Sequence, residues 1–300
     1  MASPTTPMHG KLAAVYLMRP NGFNGAGLND LTWGAGYDGA ASASFEVVID
    51  GVGTGGGGVD QFKWRKNGGG WTEHVDITGA AQALSDSQTI TFAATTGHTS
   101  GDKWLIGNLK DEATTEAAAT AQITDSTMRI LNPNAPPVFT DDGGKIVEKI
   151  NYAAGMAYFS GNVGNVTATG NNGFIPFAAL QQVGYLIDCS FNISLDLAEI
   201  SAQGDQWKSH VPGQATGNGA ANAYFIATGS PFKDIEENIT DQKYFMIEMS
   251  TYDPDQDQTG DRFRFWVVFS SWNANAPKGD VVKESVNFSI HGMPSFVANA

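Results

Sequence analysis

Cysteine is nearly absent from this chain of 300 residues: Cys189 stands alone. That excludes a disulfide framework and a thiolate metal cluster. Charge is also scarce, at 16% of residues against roughly a quarter in ordinary globular chains. Basic residues are the scarcer kind, 17 against 31 acids, for a net charge of −14. Tight nucleic-acid binding is therefore not expected, because that affinity comes from cations displacing counterions from phosphates. No apolar run approaches the roughly 20 residues of a membrane-spanning helix. LAAVYLM (12–18) is short, lacks a small-residue cleavage site and runs into Arg19-Pro20, so no export signal or membrane partner is expected and the chain should stay in the cytoplasm where it is made. The five histidines (His9, His74, His98, His210 and His291) show no metal-ligand spacing. No G-x-S-x-G elbow offers a hydrolase nucleophile. Gly55–Gly58 is followed by no Lys-Ser/Thr pair, so it reads as a turn rather than a phosphate loop. No enzyme, cofactor or metal is expected.

Glycine (36 residues), with Asn, Ser, Thr and Ala, fills the space that charge leaves, as in β-rich chains with many turns. Alternation of apolar and polar residues is the dominant pattern. Phe245, Ile247 and Met249 oppose Glu248 and Ser250. Phe263, Phe265, Val267 and Phe269 oppose Arg262 and Arg264. Val286, Phe288 and Ile290 oppose Lys283, Ser285 and Asn287. The longest alternating run, Tyr185 to Leu197, carries Cys189 among its apolar positions, where an inert buried thiol is expected.

Organisation follows from texture. Residues 1–10 read as a Pro/Thr-rich arm, and 11–18 as a strand. From 38 to 107, short alternating strands around Phe45/Val47/Ile49, Phe62/Trp64, Val75/Ile77, Ile90/Phe92 and Trp104/Ile106 predict a small Ig-like sandwich with its own core. Residues 111–125 read as a Thr/Ala-rich linker. Strands resume at 145–152, 155–161 and 163–170. GQATGNGAAN (213–222) reads as a long flexible loop, and Ser230-Pro231 as the start of a short helix over 231–239. The domain reading is thus 1–37 as arm and first strand, 38–107 as an inserted module, and 108–300 as the remainder of the main domain. The fold class is mainly β: an antiparallel β-sandwich or barrel with one or two short helices, plus the Ig-like sandwich module.

The window 231–261 concentrates nine acids against two bases. Its turn at 253–261 places Asp253, Asp255 and Asp257 at alternate positions, as a calcium loop does. Gln258 stands where that loop needs glycine, however, and Arg264 where it needs a bidentate Glu. A solvated hairpin turn is the simpler reading, and cation binding there is left open.

From about Gly173 onward the chain resembles the major tail tube proteins of bacteriophages with long non-contractile (siphovirus-type) tails. The residues that carry the resemblance are YLIDCSFNISLDL (185–197), the following AEISAQGDQWKSHVPG, ANAYFI (221–226), the helix at 231–239 and VVKESVNFSIHGMPSF (281–296). Segment 38–107 resembles the Ig-like modules inserted in phage virion proteins. The resemblance implies a structural virion protein, made and assembled in the host cytoplasm, that forms rings, by implication hexameric, which stack into a hollow conduit for DNA. It implies self-association as the main partnership, with a tape-measure protein, tail tip or initiator and terminator proteins, and transiting DNA as further partners. On this reading Asp188, Ser190, Asn192, Ser194, Glu248, Ser250, Lys283, Ser285 and Asn287 are candidate lumen-facing residues. Pro4, Pro7 and His9 on the arm, with Gln214, Asn218 and Asn222, are candidates for stacking between rings. The alternatives are another virion component, such as a decoration or connector protein, and an Ig-like module that binds glycans.

Overall fold

A computed structural model describes residues 14–182, 186–199, 210–224, 239, 243–250, 262–275 and 283–297. The arm candidates Pro4, Pro7 and His9, the acidic turn 253–261 and all of the expected helix 231–239 except Ile239 lie outside these residues. The described chain is mainly antiparallel β, with two 3-10 turns at Ser126–Met128 and Phe177–Ala179.

One sheet has seven strands. In chain order they are β1 (Ala14–Met18), β15 (Gln181–Gln182), β16 (Leu186–Glu199), β17 (His210–Tyr224), β18 (Phe245–Ser250), β19 (Arg262–Asn275) and β20 (Lys283–Val297). They pair in the order β15-β1-β18-β19-β20-β17-β16, and every pairing is antiparallel. The strand expected at 11–18 is therefore part of this sheet, over its described residues.

The sheet is tightly curled. In a flat sheet β16 and β18 would lie about 19 Å apart, four strand spacings. Instead Cys189 Sγ on β16 approaches Met249 Sδ on β18 to 4.0 Å, and the Phe191 ring lies 5.0 Å from that of Phe265 on β19. The concave side holds Val15, Leu17, Phe245, Ile247, Phe265, Val267, Phe269, Val286 and Phe288, with Ile239 packed against them. The alternation read from β18, β19 and β20 is thus the lining of this curl.

The segment 213–222, expected as a loop, is instead the body of β17, paired to β16 on one side and β20 on the other. Its small residues are what the curl requires. A Cβ on Gly219 would collide with the Phe288 ring and the Ser190 carbonyl, and one on Gly217 would lie 2.8 Å from Ile290. The large side chains of the flanking strands fill the space that β17 leaves empty.

Between β1 and β15 the chain builds a second body. Its strands are β2 (Phe23–Asn24), β3 (Leu31–Trp33), β4 (Ala43–Gly51), β5 (Gln61–Lys66), β6 (Thr72–Asp76), β7 (Gln82–Ala83), β8 (Thr89–Phe92), β9 (Lys103–Ala117), β10 (Thr120–Ile123), β11 (Val138–Asp141), β12 (Val147–Asn151), β13 (Met156–Phe159) and β14 (Val166–Phe174). The sheet that includes β9-β4-β5-β6 faces the small sheet β3-β8-β7 across a core of Phe23, Leu31, Val47, Ile49, Phe62, Ile77, Ile90, Phe92 and Trp104. Of the residues expected to form a separate core within 38–107, Val47, Ile49, Phe62, Ile77, Ile90, Phe92 and Trp104 meet here, joined by Phe23 and Leu31 from upstream, whereas Phe45 and Ile106 pack elsewhere.

The boundary expected at 107 falls inside β9. That strand pairs with β4 as far as Asn108, then continues against β14 and β10 to Ala117. The expected linker 111–125 is accordingly a hairpin of β9 and β10. Its far half serves a second core of Leu109, Ile123, Leu131, Phe139, Phe159, Val166 and Phe174. A third core joins this body to the curled sheet. Met18, Met246 and Trp266 from β1, β18 and β19 pack with Phe45, Leu105, Ile106, Ile130, Ala153 and Ile175.

Candidate functional site

Because the concave side is apolar, the chemistry of the curled sheet is on its convex side. Register places the polar residues of β16, β17, β20 and β19 in rows across three or four strands. Asp188, Asn222, Ser285 and Asn273 form one row. Ser190, Ala220, Asn287 and Ser271 form the next, and Asn192, Asn218 and Ser289 a third. Hydrogen bonds knit the rows sideways: Asn222 Nδ2 donates to Asp188 Oδ1 at 2.7 Å, Asn287 Nδ2 to Ser271 Oγ at 2.8 Å, and Ser194 and Thr216 hydroxyls lie 3.0 Å apart. The centre of this wall is amide and hydroxyl. Its charged members, Asp188 and Lys283, stand toward one end and are exposed.

The sequence-derived candidates separate here. Asp188, Ser190, Asn192, Ser194, Lys283, Ser285 and Asn287 share the wall. Asn218 and Asn222, expected to contact the next ring, stand in the same rows, while Gln214 is exposed further along β17. Ser250 is placed by register alone, opposite Ala14 and Arg262.

Glu248 corrects its expectation. It is on the convex side but only 3% exposed, because the second body covers that flank. Arg264 Nε donates to its Oε2 at 2.5 Å, and Arg262 Nη1 lies 3.9 Å from Oε1. The Arg264 guanidinium in turn stacks 4.2 Å above the Phe177 ring, on the turn that leads out of the second body. Burial pulls the Arg264 pKa down, and the charge and hydrogen bond of Glu248 push back. Beside them His291 stacks between Tyr244, at 4.1 Å, and Tyr152 of the second body, at 6.0 Å.

Ser271, Asn273, Thr216 and Ser289 belong to the wall but were not singled out from sequence. Ser271 and Asn273 reach it because a bulge between Phe269 and Ser271 shifts the alternation of β19 by one residue. Only the break in phase at SSWNAN could have signalled them. Thr216 was hidden by reading its strand as a loop.

Among the described residues the wall ends at β16, one of the sheet's two edge strands. This edge is 14 residues long, and Ile187, Ile193 and Leu195 along it are 43%, 49% and 49% exposed. A long edge strand with exposed apolar side chains is a template for pairing with another chain. Cys189, by contrast, has its thiol pKa pushed up to about 11 by burial, aided by the Asp188 charge, which leaves it unreactive near neutrality. Among the described residues no group of three or more His, Cys, Asp or Glu side chains could hold a metal.

No family model matches the sequence, and no curated protein matches it. Among solved structures, a chain from the virion of a native gene transfer agent particle is similar over 40% of this chain and 91% of its own, at 12% identity and a TM-score of 0.33. A chain from the tail of the empty gene transfer agent particle, with C6 symmetry, is similar over 40% of this chain and 87% of its own, at 10% identity and a TM-score of 0.33. The SPP1 tail tube structure is similar over 55% of this chain and 77% of its own, at 12% identity and a TM-score of 0.33.

Proposed function

We propose that this chain is a structural subunit of a phage-type tail tube, one that associates with copies of itself into stacked rings around a channel for DNA. The observation that carries the reading is the wall just described: four strands of amides and hydroxyls, nearly free of charge at the centre, ending on a long apolar-studded edge. Pairing of the β16 edge with a neighbouring copy would continue the wall from subunit to subunit and bury Ile187, Ile193 and Leu195. With Lys283 toward one end and no cation at the centre, the wall offers phosphates little gain from counterion release, so DNA could pass without being held. The second body occupies the β1-β18-β19 flank of the same convex side, which leaves it room to project away from the channel as decoration. Hexameric rings, a tape-measure protein, tip and terminator partners and a place in the virion tail belong to this proposal, as does the absence of catalysis.

Electron microscopy of negatively stained, concentrated protein tests the reading. Hollow tubes or closed rings are expected. Protein that stays monomeric even with tail initiator complexes and tape-measure protein would overturn it. Leu195→Lys with Ile193→Lys, placed on that edge, is expected to keep the fold and stop assembly.

A further inference from the structure

At one pole of the second body, three loops converge on the side chain of His98, which is wholly buried. Its Nδ1 lies 2.9 Å from Asp60 Oδ2, and its Nε2 lies 3.0 Å from Asp30 Oδ1. Both carboxylates are already acceptors for main-chain amides. Asp60 takes Gly53 N at 2.7 Å and His98 N at 3.0 Å, and Asp30 takes Ala94 N at 2.7 Å. An imidazole with an acceptor at each nitrogen satisfies both only when both nitrogens carry protons, that is, as the cation. β8 and β9 present the rings of Phe92 and Trp104 to it, edge-on at 5.2 and 6.4 Å. Asp102, on the same loop, turns instead to the amides of Ala26, Gly27 and Thr99.

We propose that His98 is an imidazolium latch that keeps this loop pole closed at neutral pH and releases it in alkali. The latch reaches the tetraglycine loop through Gly53, and Asp60 N also donates to Thr95 O at 2.9 Å, so loops 24–30, 51–60 and 93–102 share one closure. Burial pulls the His98 pKa down, but hydrogen bonds and charge from Asp30 and Asp60 outweigh it, and the net shift is upward from 6.5. Burial likewise pushes both carboxyls up, and their bonds with His98 and the main chain bring them below 3.8. A raised imidazolium contributes stability in full below its unfolded pKa and loses it as pH rises through the folded value. The two carboxylates lose theirs as pH falls through their depressed values. The pole is therefore held between those limits.

Nitrogen-15 NMR of the full-length chain tests this through the His98 ring and the amides of Gly53, Ala94 and His98. Both ring nitrogens are expected to be protonated at pH 7.5. Above the ring's midpoint, opening of those amides, corrected for intrinsic base catalysis, should rise about tenfold per pH unit, as release of one proton requires. Asp30→Asn keeps the Asp60 contact and should move the midpoint down. His98→Gln should abolish the pH dependence. A singly protonated His98 ring at pH 7.5, or the same alkaline opening in H98Q, would overturn the proposal. If H98Q does not fold, an unmoved midpoint in D30N would do so.

Discussion

Glu248 and Asp188 are carboxylates on the convex side of one sheet, four strands apart in pairing order, and their surroundings are opposite. Glu248 is buried beneath the second body and held by Arg264, which stacks on Phe177. Asp188 is exposed and accepts a hydrogen bond from Asn222. Local alternation treats the two alike, since each opposes an apolar row in its own strand. What differs is a body inserted between β1 and β15, which folds back over the flank from which it emerges. A polar face is thus an anchor on one flank and an open surface on the other.

The most drastic way to break this comparison is to remove part of the cover. Excision of residues 38–107 would cut β9 and withdraw Phe45, Leu105 and Ile106 from the core shared with Met246 and Trp266. Insoluble or proteolysed product is expected, and limited proteolysis with circular dichroism reads the outcome. A soluble, folded remainder would show that the shared core is dispensable.

Next in size is the anchor itself. Glu248→Gln leaves Arg264 buried without its counter-charge and should cost about 3–5 kcal/mol in chemical denaturation. Asp188→Asn, its counterpart on the open flank, should stay within about 0.5 kcal/mol of the parent. Equal effects at the two positions would erase the distinction between the flanks.

Gly219→Val probes the curl that makes one side concave. With the Phe288 ring and Ser190 carbonyl in the way, overpacking of about 1–3 kcal/mol is expected. The smallest effect on stability is expected from Asn192→Lys, in the middle of the open wall. Folding should change by no more than about 0.5 kcal/mol. On the proposed function, particles carrying it should nonetheless release DNA more slowly, with a delay that shrinks as salt rises, because the new cation gives phosphates a contact that releases counterions. DNA release unchanged at every salt concentration would place this wall away from the channel.

Strands with a strong two-residue period were legible from the chain alone. Phe245/Ile247, Phe263 to Phe269 and Val286/Phe288 all line the concave core, as their alternation required. The inward faces of Val47, Phe62, Ile90 and Trp104 were legible for the same reason. β17 was not, because glycine and alanine are turn signals when a segment is read alone. They become strand residues only where neighbours supply the bulk, as Phe288 and Ile290 do. The hairpin of β9 and β10 was hidden similarly, since its Thr/Ala alternation carries little hydrophobic contrast. On the wall, Asp188 to Ser194 and Ser285 to Asn287 could be found by parity, whereas Ser271 and Asn273 depend on a bulge.

By itself the sequence determined which residues alternate, and hence which strands have an apolar side. It also determined that cations are few and that Cys189 has no cysteine partner. These properties are local or compositional, and no fold can change them. Only the tertiary structure decided that Glu248 is covered while Asp188 is open, that β9 serves two cores, and that His98 meets Asp30 and Asp60. Each depends on segments tens of residues apart in the chain being brought within a few ångströms, and no period along the chain records that proximity.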